Sequence, residues 1–225
     1  NDAAVEIEIG SGDGAFLTAW ATLHPERNLL GIERSPSKAR RLEARLAVRG
    51  PANVRMVQAD ARCVVASIIP VASVAAYHVY FPDPWPKRGH APRRIFTPDF
   101  VRDLGATLMS DGRLHFATDV ETYASVARGH VLASGQFREI ETTGPHPGLT
   151  TSFAQVSRGR PDARELHLRA RPLPGERLRS GRGLEDQVDV VPEVHPDQVD
   201  GRPIAAAGVD RGLRGVASAK RYDHR

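Results

Sequence analysis

Cysteine is almost missing from this 225-residue sequence. Cys63 stands alone, so neither an intramolecular disulfide nor a cysteine-cluster metal site can form. A reduced, cytosolic compartment is the expectation that follows. Lysine is nearly as scarce: of 31 basic residues only Lys38, Lys87 and Lys220 are lysines, the rest being arginine. So one-sided a choice reads as coding bias. A net charge of +4 and a pI near 9.6 therefore do not by themselves indicate a nucleic-acid partner. Long apolar runs are wanting as well. The longest uncharged stretch, Cys63 to Tyr77, is broken by Pro70 and falls short of the roughly 20 apolar residues of a membrane span. The opening residues carry Asp2, Glu6 and Glu8 and do not read as a signal peptide. The chain starts without methionine and almost directly on a strand, which predicts a further segment ahead of Asn1. The histidines show no metal-ligand spacing and no nucleophile–base arrangement; most of them read as surface or packing residues, and no metal is expected.

What is present suffices for a core, since 40% of residues are hydrophobic. Up to about Pro172 short apolar runs alternate with helical patterns. Ala4–Ile9, Asn28–Glu33, Asn53–Gln58, Val74–Phe81 and Arg113–Thr118 read as strands. Helices are expected over Ala15–Leu23, from Ser35 with Pro36 to about Arg49, from Thr97 with Pro98 to about Met109, and from Asp119 through Leu132. Gln136–Glu141 and Arg164–Arg169 complete seven strands, interleaved with these helices. This predicts a doubly wound α/β fold with a largely parallel sheet, helices on both faces and a final hairpin. From Leu173 the texture changes: one aromatic, Tyr222, frequent Gly and Pro, and no sustained period. Residues 1–171 are thus expected to form one domain and 172–225 a low-order tail.

Ligands of such sheets sit at the carboxyl ends of the strands. The first strand ends in Glu8-Ile9-Gly10-Ser11-Gly12-Asp13-Gly14, a turn that lets backbone approach a ligand closely. By itself it suits a dinucleotide, or nothing at all. Glu33 ends the second strand, where a carboxylate can accept both ribose hydroxyls, and Asp60-Ala61 ends the third, within reach of an adenine. Glu8, directly before the glycines, would repel a pyrophosphate and suits a cationic or zwitterionic ligand. The set favours S-adenosylmethionine over NAD, with an NAD(P)-dependent oxidoreductase as the rival reading.

Phe81-Pro82-Asp83-Pro84-Trp85-Pro86-Lys87 is the most informative stretch. Its three prolines end the fourth strand and predict a stiff arm with Phe81, Asp83 and Trp85 extended. The alternative is a rigid turn whose Trp85 packs under a helix, which would need neither Asp83 nor Lys87. Lys87, Arg88, His90, Arg93 and Arg94 follow within eight residues, a basic patch beside an aromatic that could hold phosphates, or a solvated charged loop. Asp119, after Ala117-Thr118, is either a helix N-cap or an acceptor for the N1 and N2 donors of a guanine.

From Glu6 to about Arg171 these motifs resemble the bacterial tRNA (guanine-N7-)-methyltransferases. The resemblance rests on Glu8-Ile9-Gly10 with Gly12 and Gly14, Gly31-Ile32-Glu33, Asp60-Ala61, Phe81 through Lys87, His90 with Arg93-Arg94, and Ala117-Thr118-Asp119. It implies that Glu8, the glycines, Glu33, Asp60, Ala61 and Asp83 bind S-adenosylmethionine, with Asp83 catalytic. It implies further that Lys87 and Asp119 contact the target nucleotide, that Arg88, His90, Arg93 and Arg94 contact tRNA, and that a variable-loop guanosine, position 46, is methylated. Thr151-Ser152-Phe153-Ala154 stands where the family carries a Thr-Lys-Phe-Glu-like segment whose acid helps hold the guanine. Gly89 and Pro92 also replace residues that are commonly basic. Loss of that acid would remove a charge-assisted hydrogen bond of roughly 1.5–3 kcal/mol, about ten- to a hundredfold in affinity. A weakened or inactive tRNA-binding relative is therefore the second expectation.

Overall fold

The computed structural model describes residues 3–140 and 164–171. These all lie in the first of two units into which the chain divides, Asn1–Leu184; the second is Glu185–Arg225. The expected tail from residue 172 and the segment Thr151–Ala154 fall outside the described residues.

Among the described residues there are seven strands and five α-helices. In chain order they are β1 (Val5–Ile9), α1 (Ala15–Leu23), β2 (Asn28–Glu33), α2 (Pro36–Arg49), β3 (Val54–Gln58), α3 (Ala61–Ser67), β4 (Val74–Tyr80), a 3-10 turn (Arg88–Arg93), α4 (Pro98–Thr107), β5 (Leu108–Thr118), α5 (Glu121–Ala133), β6 (Phe137–Glu139) and β7 (Arg164–Ala170). They form one sheet in the order β3-β2-β1-β4-β5-β7-β6. The first five strands are parallel; β7 runs antiparallel to both β5 and β6, which is the hairpin the sequence predicts.

Two helices start at a side-chain cap that the sequence provides. Thr97 accepts the Phe100 N–H and Pro98 follows, so α4 begins with a preset φ and one capped donor. Asp60 does the same for α3 by accepting the Arg62 N–H at 2.9 Å. The expected cap at Asp119 is not found: Val120 holds the N-cap position of α5 and Glu121 begins the helix. The carboxylate at 119 thus stays outside the helix, at the end of β5.

Two apolar layers sandwich the sheet. On one face Ile7, Ile9, Tyr77, Val79, Leu114 and Phe116 pack against α3, α4 and α5. On the other, Phe16, Leu17 and Trp20 of α1 and Leu42 of α2 meet Leu29 and Val54. Gly31 sits in β2 because Ser11 Oγ and Leu17 Cδ2 lie 2.6 and 2.7 Å from where a Cβ would be.

Three histidines that read as surface or packing residues form a buried polar row on the α1 face. The register aligns His78, His115 and His167 on three neighbouring strands. His78 Nε2 meets Glu6 Oε2 at 2.9 Å, and the Trp20 indole donates to the same oxygen at 2.7 Å. Arg27 pairs with the other oxygen. His78 stacks on His115, whose Nδ1 lies 3.1 Å from Nδ1 of His167. Burial pushes the Glu6 carboxyl up, but the hydrogen bond and charge of His78, with Arg27, outweigh it and hold the group at about 2. A buried acid persists here because its charge is paired and hydrogen-bonded.

Candidate active site

All five parallel strands end on the same side of the sheet. Asp60, Glu33, the glycine turn, the proline arm and Asp119 are therefore brought to one edge in the order of their strands. Winding reverses between β1 and β4, so the glycine turn and the arm flank the crevice where ligands of open α/β sheets sit.

The turn after β1 is held by its neighbours. Gly10 N–H donates to the Ile32 carbonyl at 2.8 Å, and Gly14 N–H to that of Ser11 at 2.8 Å. Gly14 has φ +77° and is the N-cap of α1; a Cβ there would run into the Leu42 side chain. Glu33, expected at a ribose, is engaged within the protein. Its two oxygens accept the Gly12 N–H at 2.8 Å and the Ser35 N–H at 2.6 Å, which ties the turn to the start of α2. An ionised carboxylate offers about four lone-pair sites, so this leaves acceptors for two hydroxyls.

Glu8 is buried behind the turn, and its Oε2 has no hydrogen-bond partner among the described residues. Burial pushes its carboxyl well above the usual range, the charges of Asp13 and Glu33 push it further, and the Leu17 N–H opposes them. A buried carboxylate oxygen without a partner is costly unless a cation approaches it. An ammonium group on a ligand would meet that requirement, so the residues present fit the cationic cofactor the sequence suggests.

The arm departs from the extended form expected of it. β4 ends at Tyr80, as the prolines require, but Phe81 and Trp85 take positive φ, 48° and 43°. The proline after each only disfavours the right-handed helical region. Tertiary tethers select the left-handed region instead, at a local cost of order 1–3 kcal/mol each. Phe81 N–H donates to the Ala117 carbonyl at 2.8 Å, while Arg94 Nε and Nη2 donate to the carbonyls of Pro84 and Trp85 at 2.8 and 3.3 Å. Asp83, between these anchors, is exposed.

Arg94 is thus committed to the arm, and its guanidinium also lies 5.2 Å from the centre of the Tyr123 ring. Arg93 covers Trp85 at 4.9 Å, and His90 meets the same indole edge-on at 5.6 Å. Lys87 is exposed, and Arg88 begins the 3-10 turn. The sequence reading missed Arg62. Its Nη2 donates to the carbonyls of Pro92, Arg93 and Arg94 at 3.3, 3.1 and 2.8 Å, linking the Asp60 cap to the basic loop. Nothing in a chain so rich in arginine singles it out. Among the described residues no group of three or more His, Cys, Asp or Glu could hold a metal ion, and no helix is long and apolar enough to cross a membrane.

A family model described as "Putative methyltransferase" matches residues 2–162. A tRNA (guanine-N(7)-)-methyltransferase of Leifsonia xyli subsp. xyli is 43% identical over 56% of this chain and 54% of its own. One of Nitrosomonas eutropha is 39% identical over 66% of this chain and 68% of its own. The chain spans about half the length of the first curated relatives it matches. Among solved structures, a 16S rRNA (adenine(1408)-N(1))-methyltransferase of Catenulisporales acidiphilia, crystallised with its cosubstrate SAM, superposes with a TM-score of 0.54. That pair shares 18% identity over 78% of this chain and 90% of the other, which establishes the Rossmann-like methyltransferase fold alone.

Proposed function

We propose, since the chain belongs to the tRNA (guanine-N(7)-)-methyltransferase family, that it transfers a methyl group from S-adenosylmethionine to N7 of a tRNA guanosine. The observation that carries this reading is the unpartnered, buried Glu8 oxygen behind a glycine turn that Glu33 pins, directly across the crevice from the Asp83 arm. When bound, S-adenosylmethionine supplies a methyl group on a cationic sulfur. Glu8 would take the ammonium, Glu33 the ribose hydroxyls and Asp60 with Ala61 the adenine edge, while Gly10, Gly12 and Gly14 admit the ligand to the backbone.

Guanine N7 carries an in-plane lone pair and no proton, so its attack needs no strong base. The work is alignment of nucleophile, methyl carbon and sulfur, a matter of proximity and orientation. Asp83, held from both sides by the tethered arm, would present a carboxylate to the positive charge carried by the bound cofactor and by the methylated guanine. Asp119 would accept the N1 and N2 donors of that guanine, Lys87 would contact its nucleotide, and Arg88, His90 and Arg93 would meet the backbone. A base turned out of its stack would reach the crevice. The variable-loop guanosine at position 46 is the target this reading favours, residues 1–171 its catalytic domain, and the cytoplasm its place of action.

Labelled S-adenosylmethionine and an unmodified tRNA transcript test it, with nuclease digestion and separation of the nucleosides. Label in 7-methylguanosine supports the assignment; label in another nucleoside overturns it. Ala154 favours a second reading, a tRNA-binding relative with little or no transfer. That reading expects tRNA retained on a filter and no labelled nucleoside.

A further inference from the structure

Beside the arm lies a cavity of about 350 Å³, lined among the described residues by Arg34, Arg62, Trp85, Pro92 and Arg93. Its walls come from three parts of the sheet edge. Arg34 directly follows β2, Arg62 lies in the first turn of α3, and the other three belong to the arm and the 3-10 turn. The described lining holds three guanidiniums and no carboxylate.

Like charges gathered around one cavity repel each other, and an anion shared between them removes that cost. Two of the three are held in place. Arg62 is fixed by the carbonyls of Pro92, Arg93 and Arg94, and Arg93 lies over the Trp85 ring. The bonds to those carbonyls use one nitrogen of Arg62, Nη2, out of a group with five N–H donors. Planar guanidinium forks on preset frames are suited to the oxygens of a phosphate. The adenine of S-adenosylmethionine, which the ends of β2 and β3 could also receive, is uncharged and gains little from three cations.

We propose that this cavity is a phosphate subsite for the RNA strand, in which Arg34, Arg62 and Arg93 share one backbone phosphate against the wall made by Trp85. The proposal rests on the reading of tRNA as substrate. It adds Arg34 and Arg62, which lie outside the basic loop, to the surface that holds the strand. It also gives a compact reason for the Arg62 tether: the guanidinium that fixes the loop stands at the same anion.

Arg34 is the residue to change, because it is exposed and makes no hydrogen bond or ion pair among the described residues, so the arm keeps its tethers. An unmodified tRNA transcript is bound to the full chain, to Arg34→Ala and to Arg34→Lys over a series of salt concentrations. Loss of one phosphate contact is expected to reduce the slope of log K against log salt by about 1 in Arg34→Ala. Arg34→Lys is expected to keep the wild-type slope, since it keeps the charge. Thermal shift with S-adenosylmethionine on Arg34→Ala is expected to match that of the wild type. An unchanged salt slope in Arg34→Ala overturns the subsite, and an unchanged slope with a lost thermal shift assigns the cavity to the cofactor instead. If the wild-type chain methylates tRNA while the variant's slope is unchanged, only the subsite falls. If the wild-type chain neither binds nor methylates tRNA, the substrate reading falls and the subsite with it.

Discussion

Arg94 Nε donates to the carbonyl of Pro84 at 2.8 Å, and this bond ties the arm that carries the exposed Asp83 to the end of the basic loop. The proline-spaced segment has no ladder partner of its own beyond Phe81. Without that outside donor the carbonyls of Pro84 and Trp85 would lose their partner, and of the two positive-φ residues only Phe81 would keep its tether, to Ala117. Arg94→Ala is expected to free the arm, cost about 1–3 kcal/mol of stability and expose 82–94 to limited proteolysis. Arg94→Lys is expected not to rescue, since an ammonium cannot serve two carbonyls and stack on Tyr123 in the manner of a planar fork. Full protease resistance in either variant would contradict this role.

Glu8 predicts opposite effects on the free and liganded protein. Its folded carboxyl is held well above 4.5, so the folded chain binds a proton more readily than the unfolded one. The associated stability is present below the unfolded value and is lost as pH rises towards the folded one. Glu8→Gln is therefore expected to raise the melting temperature of the ligand-free protein at neutral pH. The same change removes the partner for a cation and should weaken S-adenosylmethionine binding about ten- to a hundredfold. Calorimetry reads both. A destabilised variant with wild-type affinity would refute the assignment.

Glu6 titrates in the other sense. Held at about 2 against an ordinary 4.5, its ion pairing contributes stability above pH 4.5 that is lost as pH falls towards 2. The loss should be on the order of 3 kcal/mol. Urea unfolding between pH 6 and 2 measures it. Glu6→Gln is expected to be less stable at pH 7, because half-buried Arg27 is left without its counter-charge, and to lack that portion of the acid slope, because an amide does not titrate.

Asp83→Asn preserves shape and removes the fixed negative charge from the arm. At saturating tRNA and S-adenosylmethionine a fall of about 10²–10³ in methyl-transfer rate is expected, the magnitude typical of one preorganised electrostatic group. A variant with undiminished rate would remove Asp83 from the chemistry.

The strand and helix order was legible because each element announces itself locally. Thr97-Pro98 starts a helix by capping, Pro82 ends β4 by withholding a donor, and Gly10 to Gly14 mark the turn, whereas Asp60 reads as an adenine contact and its capping of α3 shows only in the structure. The same local logic failed at Asp119, because capping depends on where the chain leaves β5, and that is set by pairing with β4 and β7. It failed again at Phe81 and Trp85, where the bond from Phe81 N–H to the Ala117 carbonyl and the bonds that the arm's carbonyls accept from Arg94 outweigh the preference of a residue before proline for extended backbone.

By itself the sequence determined the doubly wound sheet and, through its strand ends, which residues share one edge of it. Periodicity and turn chemistry act over a few residues, and strand order then carries those residues to one side. Only the tertiary structure decided what each carboxylate and guanidinium does. Glu33 pins the glycine turn, Glu8 is left without a partner, and Arg94 and Arg62 hold carbonyls ten and thirty or more residues away. Those roles depend on burial and on donors supplied from distant parts of the chain, which no local pattern records.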